Sequence, residues 1–349
     1  MPKLYVDLDK ITRNVHTVGE LCAGYGIDIT GVTKVCCGHP AVAQAYLDGG
    51  LTCLGDANLA NLAKLQDLDA EKWMLRIPAP GEAEELVRFA DVSLQSEEIT
   101  LEATAKAAQA VGRTHKIILM ADLGDLREGF IDEDSLLRAA DNVRKMHGLS
   151  LYGVGVNLTC FSFVQSTTEK MQRLTGLASR LFTEDIPVIS GGNSATLDLM
   201  LNGGIPEGVN NLRLGESLLF GRERAKYSYL EGTENDAFIL HTEVVECKEK
   251  PSMPIGEIGC DSYGHKPEFA DIGPRMKAIC AIGRQSIDAE TMWPVDSGIK
   301  ILGASSDHLM IDVTDAETQS HPGDTVQFRL GYYACLRAFT SPYVEKIFQ

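Results

Sequence analysis

The 349-residue chain has no apolar run approaching membrane-spanning length, and Met1 to Arg13 mixes charged and apolar residues without the apolar core of a signal peptide. No membrane association is therefore expected. Its nine cysteines form no C-x-x-C pair and stand at no Cys/His spacing typical of a zinc site. An odd number of scattered thiols suits a reducing compartment, so a cytoplasmic protein without a metal is expected. Basic residues are also short: 32 Lys and Arg face 49 Asp and Glu, a formal net charge of −17. Nucleic acid and anionic lipid both require a positive field, so neither is expected as the main partner.

What the sequence has is alternation. Runs rich in Val, Ile and Leu, bounded by Gly, Pro or Asp, read as buried parallel strands at Asp28–Val35, Leu51–Gly55, Trp73–Ile77, Asp91–Gln95, Lys116–Asp122, Leu151–Leu158, Pro187–Gly191 and Asn211–Leu214. A first helix is predicted around Asp9–Tyr25. Helical periodicity fills later gaps, at Thr100–Val111, Asp134–Met146 and Thr168–Phe182. Eight strands alternating with helices fit a (β/α)8 TIM barrel ahead of a doubly wound open sheet. Beyond Arg224 the texture changes to short β-branched runs: Phe238–Cys247, Met276–Ile282, Ile299–Leu302, His308–Val313 and Thr325–Leu330. The expected division is a barrel over 1–228 and an all-β domain over 229–349.

In such a barrel, chemistry sits at the C-terminal ends of the strands. Lys34 falls near the end of the first strand. A cation there must be paired, kept neutral or tied up covalently, as in a Schiff base with an aldehyde cofactor. Taken alone, a lysine that snorkels out at the rim is the better reading. Arg127, in Asp122-Leu123-Gly124-Asp125-Leu126-Arg127-Glu128-Gly129, could clamp a carboxylate or merely pair with a neighbouring acid. Gly191-Gly192-Asn193-Ser194 follows the seventh strand and opens a helix, a turn that suits a phosphate as well as a plain N-cap. Arg213 lies inside the eighth strand and needs an acceptor if it faces inward, and Gly215-Glu216 begin another turn into helix. Together these place a lysine, a phosphate cradle and two arginines on one face of one barrel.

These residues resemble the alanine racemase superfamily of pyridoxal 5'-phosphate enzymes, and within it the ornithine racemase branch. The segments Lys34-Val35-Cys36-Cys37-Gly38-His39, Asn157-Leu158-Thr159-Cys160, Gly192-Asn193-Ser194, Arg213-Leu214-Gly215-Glu216 and Ile282-Gly283-Arg284-Gln285, with the Arg127 segment, carry the resemblance over nearly the whole chain. It implies an amino-acid racemase, with ornithine, a basic amino acid, the best guess and alanine or a broader set the alternative. Lys34 would attach the cofactor and serve as one base. Arg213 would bond the pyridine nitrogen. Asn193, Ser194, the Gly215 and Glu216 backbone and Tyr343 would hold the cofactor, with Arg127 and Asn157 beside the substrate. Tyr263 would be the second base, and Ser306 and Asp307 would close the site, all three from a partner in a homodimer with shared active sites. Two positions depart from alanine racemases proper: Met120 stands near a carbamylated lysine, so Arg127 needs another support, and Asn157 replaces a histidine.

A racemase takes the Cα proton from one face and returns one to the other, so it needs a base on each. Lys34 and a tyrosine meet that demand. An arginine at the pyridine nitrogen does not readily give up its proton, which disfavours transamination. Rival readings are a pyridoxal-phosphate homeostasis protein without turnover, which lacks a β-domain; a zinc-dependent relative, for which His308 and His321 have no partner at a familiar spacing; and a cofactor-free Schiff-base aldolase. The cysteines, Cys36 and Cys37 included, read as packing residues.

Overall fold

The structure, a computed structural model, describes residues 1–349 except 183–187, 261–263, 265 and 267. Its contacts divide the chain into two units, Asp7–Ala237 and a second made of Met1–Val6 with Phe238–Gln349. The sequence reading put the division at residue 229 and gave the opening residues to the barrel. Among the described residues no helix is long and apolar enough to cross a membrane.

The chain opens with strand β1 (Lys3–Val6), which belongs to the second unit. Asp7 then caps helix α1 (Leu8–Ala23) by accepting the Lys10 N–H at 2.9 Å, and Ile11, Val15, Val18 and Cys22 bury one face at helical spacing. Eight parallel strands follow and close into a barrel: β2 (Asp28–Val32), β3 (Cys53–Asp56), β4 (Glu71–Met74), β5 (Val92–Gln95), β6 (His115–Ala121), β7 (Leu149–Val156), β8 (Val188–Ser190) and β9 (Asn211–Leu214). Between them run α2 (Pro40–Asp48), α3 (Leu59–Lys64), α4 (Ala83–Phe89), α5 (Glu98–Ala110), α6 (Glu133–Lys145), α7 (Thr168–Leu181) and α8 (Thr196–Leu201), and α9 (Glu216–Phe220) follows the last strand. The expected (β/α)8 barrel is therefore observed. Pro187, the predicted start of the seventh strand, lies outside the described residues.

Alternation along β6 shows how the barrel divides its core. Ile117, Leu119 and Ala121 face outward and pack with Leu136, Ala140 and Val143 of α6 and Leu174 of α7. Ile118 and Met120 face the lumen, with Trp73, Val92, Leu94 and Val188. The lumen also holds polar side chains. Asn211 donates to Thr30 Oγ1 at 3.0 Å and its Oδ1 accepts from Ser190 Oγ at 2.6 Å.

The second unit is an antiparallel sheet with β1 in it. Its strands are β10 (Phe238–Pro251), β11 (Pro274–Cys280), β12 (Met292–Pro294), β13 (Lys300–Ala304), β14 (Leu309–Asp312), β15 (Thr325–Leu330) and β16 (Glu345–Phe348), with order β12-β15-β10-β11-β14-β13. β1 pairs antiparallel with β10 and parallel with β16. One helix interrupts the β pattern, α10 (Tyr332–Thr340), burying Ala334, Cys335 and Ala338. The sequence reading contained neither β1 nor α10.

Candidate active site

The end of β2 turns sharply. Thr33 leaves the extended conformation, Lys34–Cys36 form one turn of 3-10 helix, and Cys37 and Gly38 take positive φ of 52° and 59°. Lys34 therefore stands two residues past the strand rather than within it. Its side chain reaches solvent, yet protein surrounds it closely enough that burial lowers its pKa. Cys160 and Asp56 act in the opposite sense, while Arg127 and Arg224 lower it further, so these four groups all act on one amine at this end of the barrel.

Arg213 is buried inside the barrel on β9, as its position in the strand requires. Its guanidinium donates to Ser190 Oγ at 2.5 Å and to the Val156 carbonyl at 2.7 Å, at the C-terminal ends of β8 and β7. Burial pushes it down to about 10, so it stays charged at neutral pH. Two bonds leave other guanidinium N–H groups for a guest.

The loop after β6 folds back on its strand. Phe130 N donates to the Met120 carbonyl at 2.8 Å and Asp122 N to the Phe130 carbonyl at 3.0 Å. Gly129 makes the return possible: its φ is +123°, and a Cβ there would lie 2.6 Å from the backbone of Ala121 and Asp122. Arg127 projects from this loop in a two-point ion pair with Glu128, which raises the guanidinium pKa. Glu128 is only 14% exposed, so this carboxylate is the support that Met120 cannot supply.

Asn157 and Cys160 follow β7. Asn193 Nδ2 donates to Asn157 Oδ1 at 3.2 Å, the Leu158 carbonyl at 2.9 Å and Cys160 Sγ at 3.4 Å, and Arg224 Nη1 approaches that sulfur at 3.8 Å. Asn157 is buried and its Nδ2 has no partner among the described residues. An unspent buried donor at the mouth of a barrel marks a place for a guest. The loop holding Cys160 hangs on the buried Asp125 carboxylate, which accepts from the backbone N–H of Cys160, Phe161, Ser162 and Val164 at 3.0–3.4 Å.

After β8, Gly192 takes φ +118° and Ser194 is buried beside the start of α9. Ser194 Oγ lies 3.2 Å from Ser217 Oγ and accepts the Ser217 N–H at 3.3 Å. The first N–H groups of α9, from Gly215 onward, have no helical carbonyl to meet. Glu216 contributes only backbone here, because its buried carboxylate is bound to Arg222 at 2.6 Å and faces Arg224 at 3.8 Å.

The structure thus brings Lys34, Arg127, Asn157, Asn193, Ser194, Arg213, Gly215 and Glu216 to the C-terminal end of one barrel. Tyr343, Ser306 and Asp307 lie in the second unit and are exposed, with Asp307 Oδ1 accepting from Gln285 Nε2 at 2.7 Å. Tyr263 lies outside the described residues. Sequence reasoning missed Asp56, Asp125, Glu128, Arg224 and Cys160 as parts of the site. Cys160 departs from the packing role assigned to the cysteines; Cys22, Cys36, Cys280 and Cys335 are buried.

The model of the alanine racemase N-terminal domain matches residues 6–223. Over 348 residues, 99% of each chain, the sequence is 42% identical to an ornithine racemase of Acetoanaerobium sticklandii. It is 36% identical over 353 residues to a lysine racemase of Thermotoga maritima, covering 100% of this chain and 98% of that one. Among solved structures, an alanine racemase from Bartonella henselae with covalently bound pyridoxal phosphate superposes with a TM-score of 0.75 at 16% identity, over 100% of this chain and 99% of the other. An alanine racemase from Clostridium difficile gives 0.75 over 100% and 95%. At that identity the structures establish a shared fold.

Proposed function

We propose, from the premise that the chain belongs to the alanine racemase N-terminal domain family, that it is a pyridoxal-phosphate-dependent racemase of a basic amino acid, ornithine first. The observation that carries the reading is one recess holding a lysine of lowered pKa, a carboxylate-supported arginine and a buried arginine, with an unspent amide donor beside them. Both curated relatives are named for amino acids with a cationic side chain.

The residues present fit the cofactor. Lys34 offers the amine that would bind it. Ser194 and the backbone at Gly215 and Glu216 would hold its phosphate. Arg213 has N–H groups left for a ring nitrogen, and Asn193 and Asn157 border the same recess. When bound, pyridoxal phosphate supplies an aldehyde for an amine and a conjugated ring that spreads the charge left at Cα.

The chain's own residues do the rest. A lysine whose amine is partly desolvated and within reach of two guanidinium groups loses its proton more easily than one in water, which suits Lys34 to act as a base. Arg127, held charged by Glu128, presents a fork to the substrate carboxylate. Arg213 does not give up its proton at neutral pH, which favours rapid return of the proton to Cα over transamination. Tyr263, Ser306 and Asp307 serve the site of a second copy in a homodimer, Tyr263 as the base on the other face.

The test is the absorbance spectrum of the purified protein beside Lys34→Ala, followed by a chiral assay against L-ornithine, L-lysine, L-alanine, L-serine and L-arginine. The reading expects a visible band that the variant loses, and conversion of L-ornithine to a racemic mixture. A band that survives in Lys34→Ala refutes the role of the lysine; a band without turnover of any of the five refutes the racemase.

A further inference from the structure

Asp56 is a buried carboxylate that the chemistry above leaves unused. It ends β3 with no exposure, and burial raises its pKa. Oδ2 accepts from Thr33 Oγ1 at 2.7 Å, and Oδ1 accepts from Asn58 N at 2.9 Å and Asn61 Nδ2 at 3.0 Å. Every one of these donors is neutral, and among the described residues no salt bridge reaches it. An ionised group buried without a counter-charge costs stability, and proteins pair such groups or do without them.

What Asp56 touches explains why it stays. Thr33 immediately precedes Lys34, and its N–H also donates to the Gly55 carbonyl at 2.9 Å. From the other side, Lys64 Nζ at the end of α3 donates to the Cys37 carbonyl at 2.7 Å and to Asn61 Oδ1 at 3.0 Å. One chain of bonds, Thr33–Asp56–Asn61–Lys64–Cys37, therefore grips the lysine-bearing turn at both ends. Arg127 and Arg224 act on the Lys34 amine in one sense, and Asp56 and Cys160 act in the other.

We propose that Asp56 is a positioning residue for Lys34: its carboxylate fixes the turn through Thr33, and its charge offsets Arg127 and Arg224 so that the amine remains a base strong enough to hold a substrate proton. Without that charge the recess would carry two guanidinium groups and burial against the amine. Lys34 would then be neutral more often but a poorer proton acceptor. The inference rests on the reading of Lys34 as the reactive amine, and its test is independent of turnover.

The experiment uses the full chain freed of bound cofactor by dialysis against hydroxylamine. Lys34 is acylated by isotope-labelled acetic anhydride between pH 6 and 10, and its extent of reaction is read by peptide mass spectrometry. The midpoint of that profile is compared in wild type, Asp56→Asn, the smaller neutral Asp56→Ser, and the charge-keeping Asp56→Glu. Both neutral variants should move the midpoint down by about one pH unit, a roughly tenfold gain in acylation below it. Asp56→Glu should restore most of the wild-type midpoint. A purely structural Asp56 lowers stability and leaves the midpoint in place, so a folded neutral variant with an unmoved midpoint overturns the proposal. Neither cofactor nor substrate enters this measurement, so that failure would leave the racemase reading intact.

Discussion

Replacing Asp125 tests how the site is held open. Its carboxylate accepts four backbone N–H bonds from Cys160, Phe161, Ser162 and Val164, and its own carbonyl accepts Ser162 Oγ at 2.8 Å. Bonds to a charged acceptor are worth about 1.5–3 kcal/mol each, so four lost without replacement would cost about 6–12 kcal/mol. The loop can evade part of that cost. Phe161 and Phe163 are 62% and 71% exposed, so a small opening lets the freed N–H groups meet water. The observable loss in Asp125→Ala is then set by the opening of the loop, about 2–3 kcal/mol. Asp125→Asn is no milder, because both oxygens are acceptors and an amide nitrogen would face two N–H donors. The assay is urea unfolding together with amide hydrogen exchange of the segment 158–166. Both variants should speed that exchange while leaving β6 and β7 protected, and the KM for the amino acid should rise more than kcat falls, because Cys160 and Asn157 lose their setting. Exchange in 158–166 that is unchanged, with a stability loss under about 0.5 kcal/mol, would refute the reasoning.

Other perturbations follow from the same geometry. Glu128→Gln keeps the shape but removes the charge from a pair whose arginine is 41% exposed, a loss of about 1 kcal/mol after solvent screening; the KM should rise several-fold at nearly constant kcat, and an unchanged KM counts against Glu128 as the support of Arg127. Gly129→Ala forces a Cβ against backbone at positive φ and should cost about 2–4 kcal/mol by denaturant midpoint; a neutral substitution would mean the loop does not close as described. His115, buried against Ser93 Oγ at 2.9 Å, is pushed down to about 4 by burial. Its stabilising effect is complete above the unfolded value near 6.5 and is lost as pH falls from there to about 4, at most about 3 kcal/mol. His115→Asn should flatten that part of the stability profile, and parallel acid limbs for the two proteins would exclude the assignment.

The barrel was legible because buried parallel strands are written as contiguous Val, Ile and Leu, and all eight were found near their observed positions. The end of the first was misjudged for a local reason: Thr33 and Cys37 turn the chain without the Gly or Pro that would have marked it in advance, and Gly38 comes after the bend. Arg213 announced itself as a charge within an apolar strand, and Ser194 through its glycines. Asp56, Asp125 and Arg224 gave no such sign, because their meaning lies in partners 23 to 64 residues away that only folding brings near. The same holds for β1, four residues whose pairing lies more than 230 residues on.

That pairing decides the order of events during synthesis. β1 leaves the ribosome well before the two strands that flank it, β10 only after the whole barrel has emerged and β16 later still. Until then its edges are bare, while the barrel can close on its own residues. Pro2 accepts the Glu345 N–H and Val6 accepts the Gln349 N–H, each at 3.0 Å, so the first and last strands run side by side in the same direction. Because β1 and β16 run parallel, a peptide joining Gln349 to Met1 would have to cross back along the length of both strands, a crossover and not a tight turn.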